Sequence, residues 1–142
     1  MWLKLTRVLA VPGARVLEYF TDAALLVEWW GPRGFSIPSI DFTPAVGATY
    51  RIEMRPPEGQ AFALTGTFRR VDWPYLAFTF EWEPPDPEDQ ETLAQISFGA
   101  TDDSTTVHLE QGPFKTEARR ELHRAGWTDS LDRLAEVVAT PH

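Results

Sequence analysis

Apolar and polar positions change their spacing along this chain, and the changes mark out its elements. Leu3 to Val11 reads as an opening strand. The spacing then turns helical: Val16, Leu17 and Phe20 share a face just after Pro12, a residue suited to a helix's first turn. Thr21 or Asp22 is placed to cap a second short helix, in which Leu25 and Trp29 stand one turn apart and Gly31-Pro32 is the stop. From about Ile37 to Gln111 the period falls to two. Tyr50, Ile52 and Met54 alternate with Thr49, Arg51, Glu53 and Arg55. Phe62, Leu64, Gly66 and Phe68 form a second such set, and Leu76, Phe78, Phe80 and Trp82 a third. Ala94, Ile96 and Phe98 follow, then Val107, Leu109 and Gln111, so each strand has one apolar and one wet face.

The last segment is helical again. Thr116 can cap a helix running to about Ala139, with Ala118, Leu122, Ala125, Trp127, Leu131, Leu134 and Val138 as its apolar stripe. Asp129 and Arg133 are spaced as a surface ion pair. Strand, two short helices, a run of strands and one long helix predict an α+β fold. In it a curved antiparallel sheet of about six to seven strands wraps around the C-terminal helix. No linker or repeat divides residues 1–142, which read as one domain.

Composition narrows the chemistry. The chain has no Cys, which excludes disulfides, thiolate catalysis and Cys-ligated zinc or iron–sulfur centres. A formal net charge of −8, with no basic stripe, argues against nucleic acid as a partner. The acidity concentrates around Asp86-Pro87-Glu88-Asp89-Gln90-Glu91, which reads as a solvated loop and lacks the glycine of a calcium-binding turn. Val8 to Val11 is too short an apolar run for a signal peptide, and no stretch approaches the ~18 apolar residues of a membrane span. A soluble, cytoplasmic protein without membrane insertion is expected.

Motifs for nucleophilic or nucleotide chemistry are missing. No serine lies in Gly-x-Ser-x-Gly, and no phosphate loop or dinucleotide fingerprint occurs. His108 and Glu110 share the wet face of their strand and make no metal set by themselves. No metal site and no cofactor are expected. His123, one helical turn before Trp127, is the sole candidate for acid–base work, although a histidine at the stripe's edge is more often held by a backbone carbonyl or water.

The aromatic positions carry the strongest signal. Core packing is the default for any one of them. A one-faced sheet of rings roofed by a single helix is nevertheless hard to fill, and unfilled space there is an apolar pocket. Gly66 and Ala94 are expected to leave room on that face. The candidate lining is Trp30, Phe35, Met54, Phe62, Leu64, Phe78, Phe80, Trp82, Phe98, Trp127 and Leu131, with Gln111 and His123 as polar groups to orient a ligand. Trp29 and Trp30 point about 100° apart on a helix, so one belongs to the core and the other to a lid or contact.

Several phrases together resemble a known family. Thr21-Asp22, Glu28-Trp29-Trp30-Gly31-Pro32 and Gly34-Phe35 are similar to the helix-to-strand corner of the START-like superfamily, in its branch of activator-of-heat-shock-ATPase homologues. Leu64-Thr65-Gly66-Thr67-Phe68 is similar to that branch's middle piece. Gly112-Pro113-Phe114, His123, Gly126-Trp127, Leu131 and Leu134 resemble its final helix. The resemblance implies the helix-grip fold. The superfamily includes lipid and hormone carriers, polyketide cyclases, self-sacrificing resistance proteins and co-chaperones, so the fold alone does not choose among functions.

The leading expectation is a small, mostly hydrophobic molecule held between sheet and final helix. The alternatives are a cyclase or lyase using the same cavity, with His123 as acid or base, and a stress-related co-chaperone-like module. That module would contact a chaperone or a second copy in a homodimer through the acidic loop and a spare Trp.

Overall fold

The computed structural model describes residues 1–139. Strand β1 (Leu3–Leu9) leads into helices α1 (Gly13–Thr21) and α2 (Ala23–Leu26). Six strands follow: β2 (Ser36–Asp41), β3 (Thr49–Arg55), β4 (Phe62–Asp72), β5 (Tyr75–Glu83), β6 (Thr92–Ala100) and β7 (Thr105–Gly112). Helix α3 (Glu117–Ala139) ends the described chain. The strands form one 7-stranded sheet in the order β1-β7-β6-β5-β4-β3-β2, with every neighbouring pair antiparallel. This is the α+β arrangement expected from the periodicities, and it is the helix-grip fold that the resemblance implies.

Local chemistry explains the corners. Asp22 caps α2 by accepting the Ala24 N–H at 2.9 Å. The helix is shorter than its sequence suggests, because the chain tightens after Leu26: Glu28 N–H goes to Leu25 O and Trp29 N–H to Leu26 O. Gly31 then turns the chain at φ +89, a conformation that side chains rarely adopt. Arg133 of α3 reaches across to this corner, donating to the carbonyls of Glu28 at 3.2 Å, Trp30 at 3.1 Å and Gly31 at 2.8 Å. The expected Asp129–Arg133 pair is therefore replaced: unpaired carbonyls at a buried chain corner draw the guanidinium inward.

Thr116 caps α3 as expected, its hydroxyl accepting the Arg119 N–H at 3.2 Å. The buried face differs from the expected stripe. It runs His123, Trp127, Ser130, Leu131, Leu134, Val138, while Ala118 and Ala125 face outward and Leu122 is exposed at the side of this face. Spacings of three and four from Trp127 select the first set, and the outward residues lie off that line.

The sheet bends where β4 crosses β5, with a register shift between Phe68 and Arg70. Gly66 belongs to this bend. A Cβ there would stand 1.9 Å from the Thr79 carbonyl oxygen and 2.7 Å from the Tyr50 ring. Tyr50 donates its hydroxyl to that same oxygen at 2.6 Å. Gly66 thus admits a close backbone approach and opens no pocket space, and Ala94 is fully buried away from the cavity.

Candidate functional site

A pocket of about 400 Å³ lies between the open end of the sheet and α3. Its walls come from six places. Trp30, Gly31, Pro32 and Phe35 arrive from the corner after α2, Met54 from β3, Phe62 from β4, and Phe80 and Trp82 from β5. Pro84, Asp86 and Asp89 enter from the loop after β5. Arg119, Leu122, His123, Gly126, Trp127 and Ser130 come from α3 at helical spacings of three and four, which places them on one side of the helix.

The rings interlock edge to face. Phe35 meets Phe62 at 6.2 Å, Phe62 meets Trp82 at 5.3 Å, and Trp82 meets Phe80 at 5.2 Å. Trp30 stands across Trp127 at 5.2 Å and 82°. Such contacts each add about 0.5–1.5 kcal/mol beyond burial, so the wall is stiff as well as apolar. Gly126 contributes by omission: a Cβ built there meets nothing within 4 Å.

Polar groups within this wall satisfy one another. Trp82 Nε1–H donates to His123 Nε2 at 3.0 Å. Trp127 Nε1–H donates to Gln111 Oε1 at 2.7 Å, and the Gln111 amide donates to Thr92 Oγ1 at 2.9 Å. Indole can only donate, so both acceptors are fixed by chemistry: the imidazole proton sits on Nδ1, and the Gln111 –NH2 faces Thr92 and His123. Burial pushes the His123 pKa down to about 4, opposed by Asp89 and reinforced by Arg119. A second proton on Nε2 would also face the Trp82 N–H. The lone pair that an acid–base role needs is thus already accepting, and the ring packs among Phe80, Trp82 and Phe114.

At the mouth, Arg119 pairs with Asp86 at 2.7 Å and Asp89 at 3.4 Å. The guanidinium holds the Asp86 carboxyl below the usual carboxylate range. Lys115 Nζ donates to Pro87 O at 3.1 Å and Gln90 Nε2 to Pro113 O at 2.8 Å. The acidic loop is exposed, as expected of a solvated loop, and is in addition latched to the start of α3, where it forms one rim of the pocket.

The structure brings Trp30, Phe35, Met54, Phe62, Phe80, Trp82, His123 and Trp127 together around the pocket. It places Leu64, Phe78, Phe98, Gln111 and Leu131 elsewhere. Phe78 packs with Tyr50 and Phe68 further along the sheet. Phe98 lies between Phe20 and Trp73 at the opposite end, while Leu64 and Leu131 are core residues. Alternation fixes which face a residue takes, but not how far along a strand of about 3.3 Å per residue it sits. Gln111 is fully buried and oriented by protein groups, so it faces Trp127 and Thr92. Trp29 is the core member of its pair, donating to Tyr19 O at 2.9 Å, and Trp30 is the pocket member.

Sequence reasoning missed Asp86, Asp89, Arg119, Gly126 and Ser130. The three on α3 were within reach, since they fall at helical spacings from His123 and Trp127. The two aspartates were not, because their approach depends on how the loop folds back. No helix among the described residues is long and apolar enough to cross a membrane.

Comparison with known proteins agrees with this architecture. The CV1439 protein of Chromobacterium violaceum is 24% identical, with 99% of this chain and 98% of that one covered at a TM-score of 0.89. The AHSA1 protein SPO3351 of Silicibacter pomeroyi is 26% identical over 100% of both chains, with a TM-score of 0.87. The NE0264 protein of Nitrosomonas europaea is 26% identical, covering 98% of this chain and 94% of its own, with a TM-score of 0.82. Among curated proteins no match is found. The family model described as Activator of Hsp90 ATPase homolog 1-like protein matches residues 10–139, and the chain belongs to that family, in the START-like superfamily.

Proposed function

We propose that this chain binds a small, mostly hydrophobic molecule in the pocket between the sheet and helix α3. The observation that carries this reading is the ring-lined space itself. At about 400 Å³ it falls in the size range of small-molecule sites, roughly 300–1,000 Å³. Interlocked rings on the sheet side and Gly126 on the helix side keep it from closing by side-chain repacking. Covering ~250 Å² of apolar ligand surface is worth ~6 kcal/mol before the costs of association.

The test is native mass spectrometry of gently purified protein, with solvent extraction of any added mass, alongside titration with the uncharged dye N-phenyl-1-naphthylamine. The expected result is a one-to-one adduct or saturable dye binding that quenches tryptophan fluorescence. A bare chain mass together with no dye binding would overturn the proposal.

A further inference from the structure

We infer that the pocket selects uncharged ligands that carry a hydrogen-bond acceptor, a carbonyl or ether oxygen on an apolar body, and discriminates against anions. This rests on reading the pocket as a ligand site. Most polar hydrogens of the wall already have acceptors: Trp82 N–H has His123, Trp127 N–H has Gln111, and the Gly31 N–H has Ser130 Oγ at 3.1 Å. Two do not. The Trp30 indole N–H donates to no described residue, and neither does the Ser130 hydroxyl, whose oxygen is occupied by Gly31.

Both side chains are more than nine-tenths buried, at 7% and 5% exposure, and both line the pocket. No fully buried side-chain nitrogen or oxygen lacks a partner among the described residues, so the Trp30 N–H keeps accessible surface, and Trp30 is one of the residues that line the pocket. Ser130 meets the backbone of Gly31, the residue after Trp30, so both donors belong to residues at this corner of the pocket. An unsatisfied donor in an apolar wall gains most from an oxygen that arrives with the ligand.

The rim sets the charge. Among the pocket-lining residues Asp86, Asp89 and Arg119 are the ionised ones, and the single guanidinium is shared by both carboxylates, leaving an excess of negative charge. A bound anion would lose its hydration beside that excess without meeting an unshared cation.

Calorimetric titration with naphthalene, 2-acetylnaphthalene and 2-naphthoate separates the terms, because the three share one ring system. The ketone is expected to bind about five- to tenfold tighter than the hydrocarbon, the increment of one to two hydrogen bonds. The carboxylate is expected to bind at least about tenfold more weakly than the ketone. Trp30→Phe and Ser130→Ala should each shrink the ketone-to-hydrocarbon ratio, measured within the same variant so that any change in ring packing cancels. Equal affinity for ketone and hydrocarbon overturns the inference and leaves the pocket as a ligand site. So does tightest binding of the carboxylate, or a ratio unchanged in both variants. Failure of all three probes to bind overturns the ligand-site reading and this inference together.

Discussion

The indole N–H of Trp82 donates to His123 Nε2 across 3.0 Å, joining strand β5 to helix α3 within the wall of the pocket. A second bond stands beside it: Gln111 Oε1 of β7 receives the Trp127 N–H of α3, while the Gln111 amide nitrogen lies 3.5 Å from His123 Nδ1, donor facing donor, and bonds Thr92 instead. Polar bonds therefore run inside an aromatic wall and hold roof to sheet. The partners fix each other's orientation, since indole has no acceptor and a neutral imidazole has one.

These bonds make stability depend on pH in a defined window. His123 is held down to about 4 in the fold, while an unfolded histidine titrates near 6.5. Above about 6.5 neither state is protonated and the residue adds no pH dependence. Between the two values the unfolded chain takes up a proton that the folded chain refuses, so stability falls as pH falls. The slope approaches 1.4 kcal/mol per pH unit, or about 2 kcal/mol between pH 7 and pH 5. Asp86, whose carboxyl is lowered by Arg119, acts only below its unfolded value of 3.8 and stays out of this window. Urea unfolding at both pH values should show wild type losing about 2 kcal/mol more than His123→Gln. An equal loss in the two proteins would mean the folded imidazole accepts the proton after all.

Gln111→Leu separates an internal role from a ligand-facing one. The substitution keeps volume and removes the acceptor of the Trp127 N–H and the partner of Thr92. Unsatisfied buried groups cost about 1–3 kcal/mol each, so a loss of about 2–4 kcal/mol in unfolding free energy is expected. Unchanged stability with weakened ligand binding would instead assign Gln111 to the ligand.

How much of this was legible in the sequence follows from what each pattern encodes. Alternation along Tyr50–Met54 and Leu76–Trp82 identified the inner face of the sheet, and the α3 spacing around Trp127 identified the roof. Neither pattern measures position along a strand, which is why Phe80 and Trp82 reach the pocket while Phe78 on the same face does not. Gly66 looked like empty space because its missing side chain was visible and the Thr79 carbonyl occupying that space was not. Arg133 looked like half of a surface pair because helix spacing records neighbours on one helix and omits the carbonyls of a distant corner.

The latch at the rim gives an exchange prediction. Arg119 is largely covered and contacts both Asp86 and Asp89, so Arg119→Gln removes the cation that gathers the loop onto α3. Amide hydrogens of Glu88 to Glu91 should exchange faster in the variant than in wild type, while those of β5 and β6 stay unchanged. Added salt should move wild type toward the variant, because exposed ion pairs are screened. Exchange unaffected by either change would place the hold on Lys115 and Gln90, whose bonds to the Pro87 and Pro113 carbonyls do not involve carboxylates.

Gly126 separates stability from pocket volume at a single position. A glycine inside a helix costs about 0.5–1 kcal/mol relative to alanine, and a Cβ here meets nothing within 4 Å. Gly126→Ala should therefore stabilise the fold by about that amount in urea unfolding, with little change in dye binding. Gly126→Phe sends a ring into the same space, which lies between α3 and the rings of β5. It should keep unfolding free energy near wild type while weakening N-phenyl-1-naphthylamine binding by about tenfold or more. The two variants differ only in how far they reach from one Cα. Loss of binding in the large variant alone would thus assign the dye to the pocket, and undiminished binding there would remove it from the pocket.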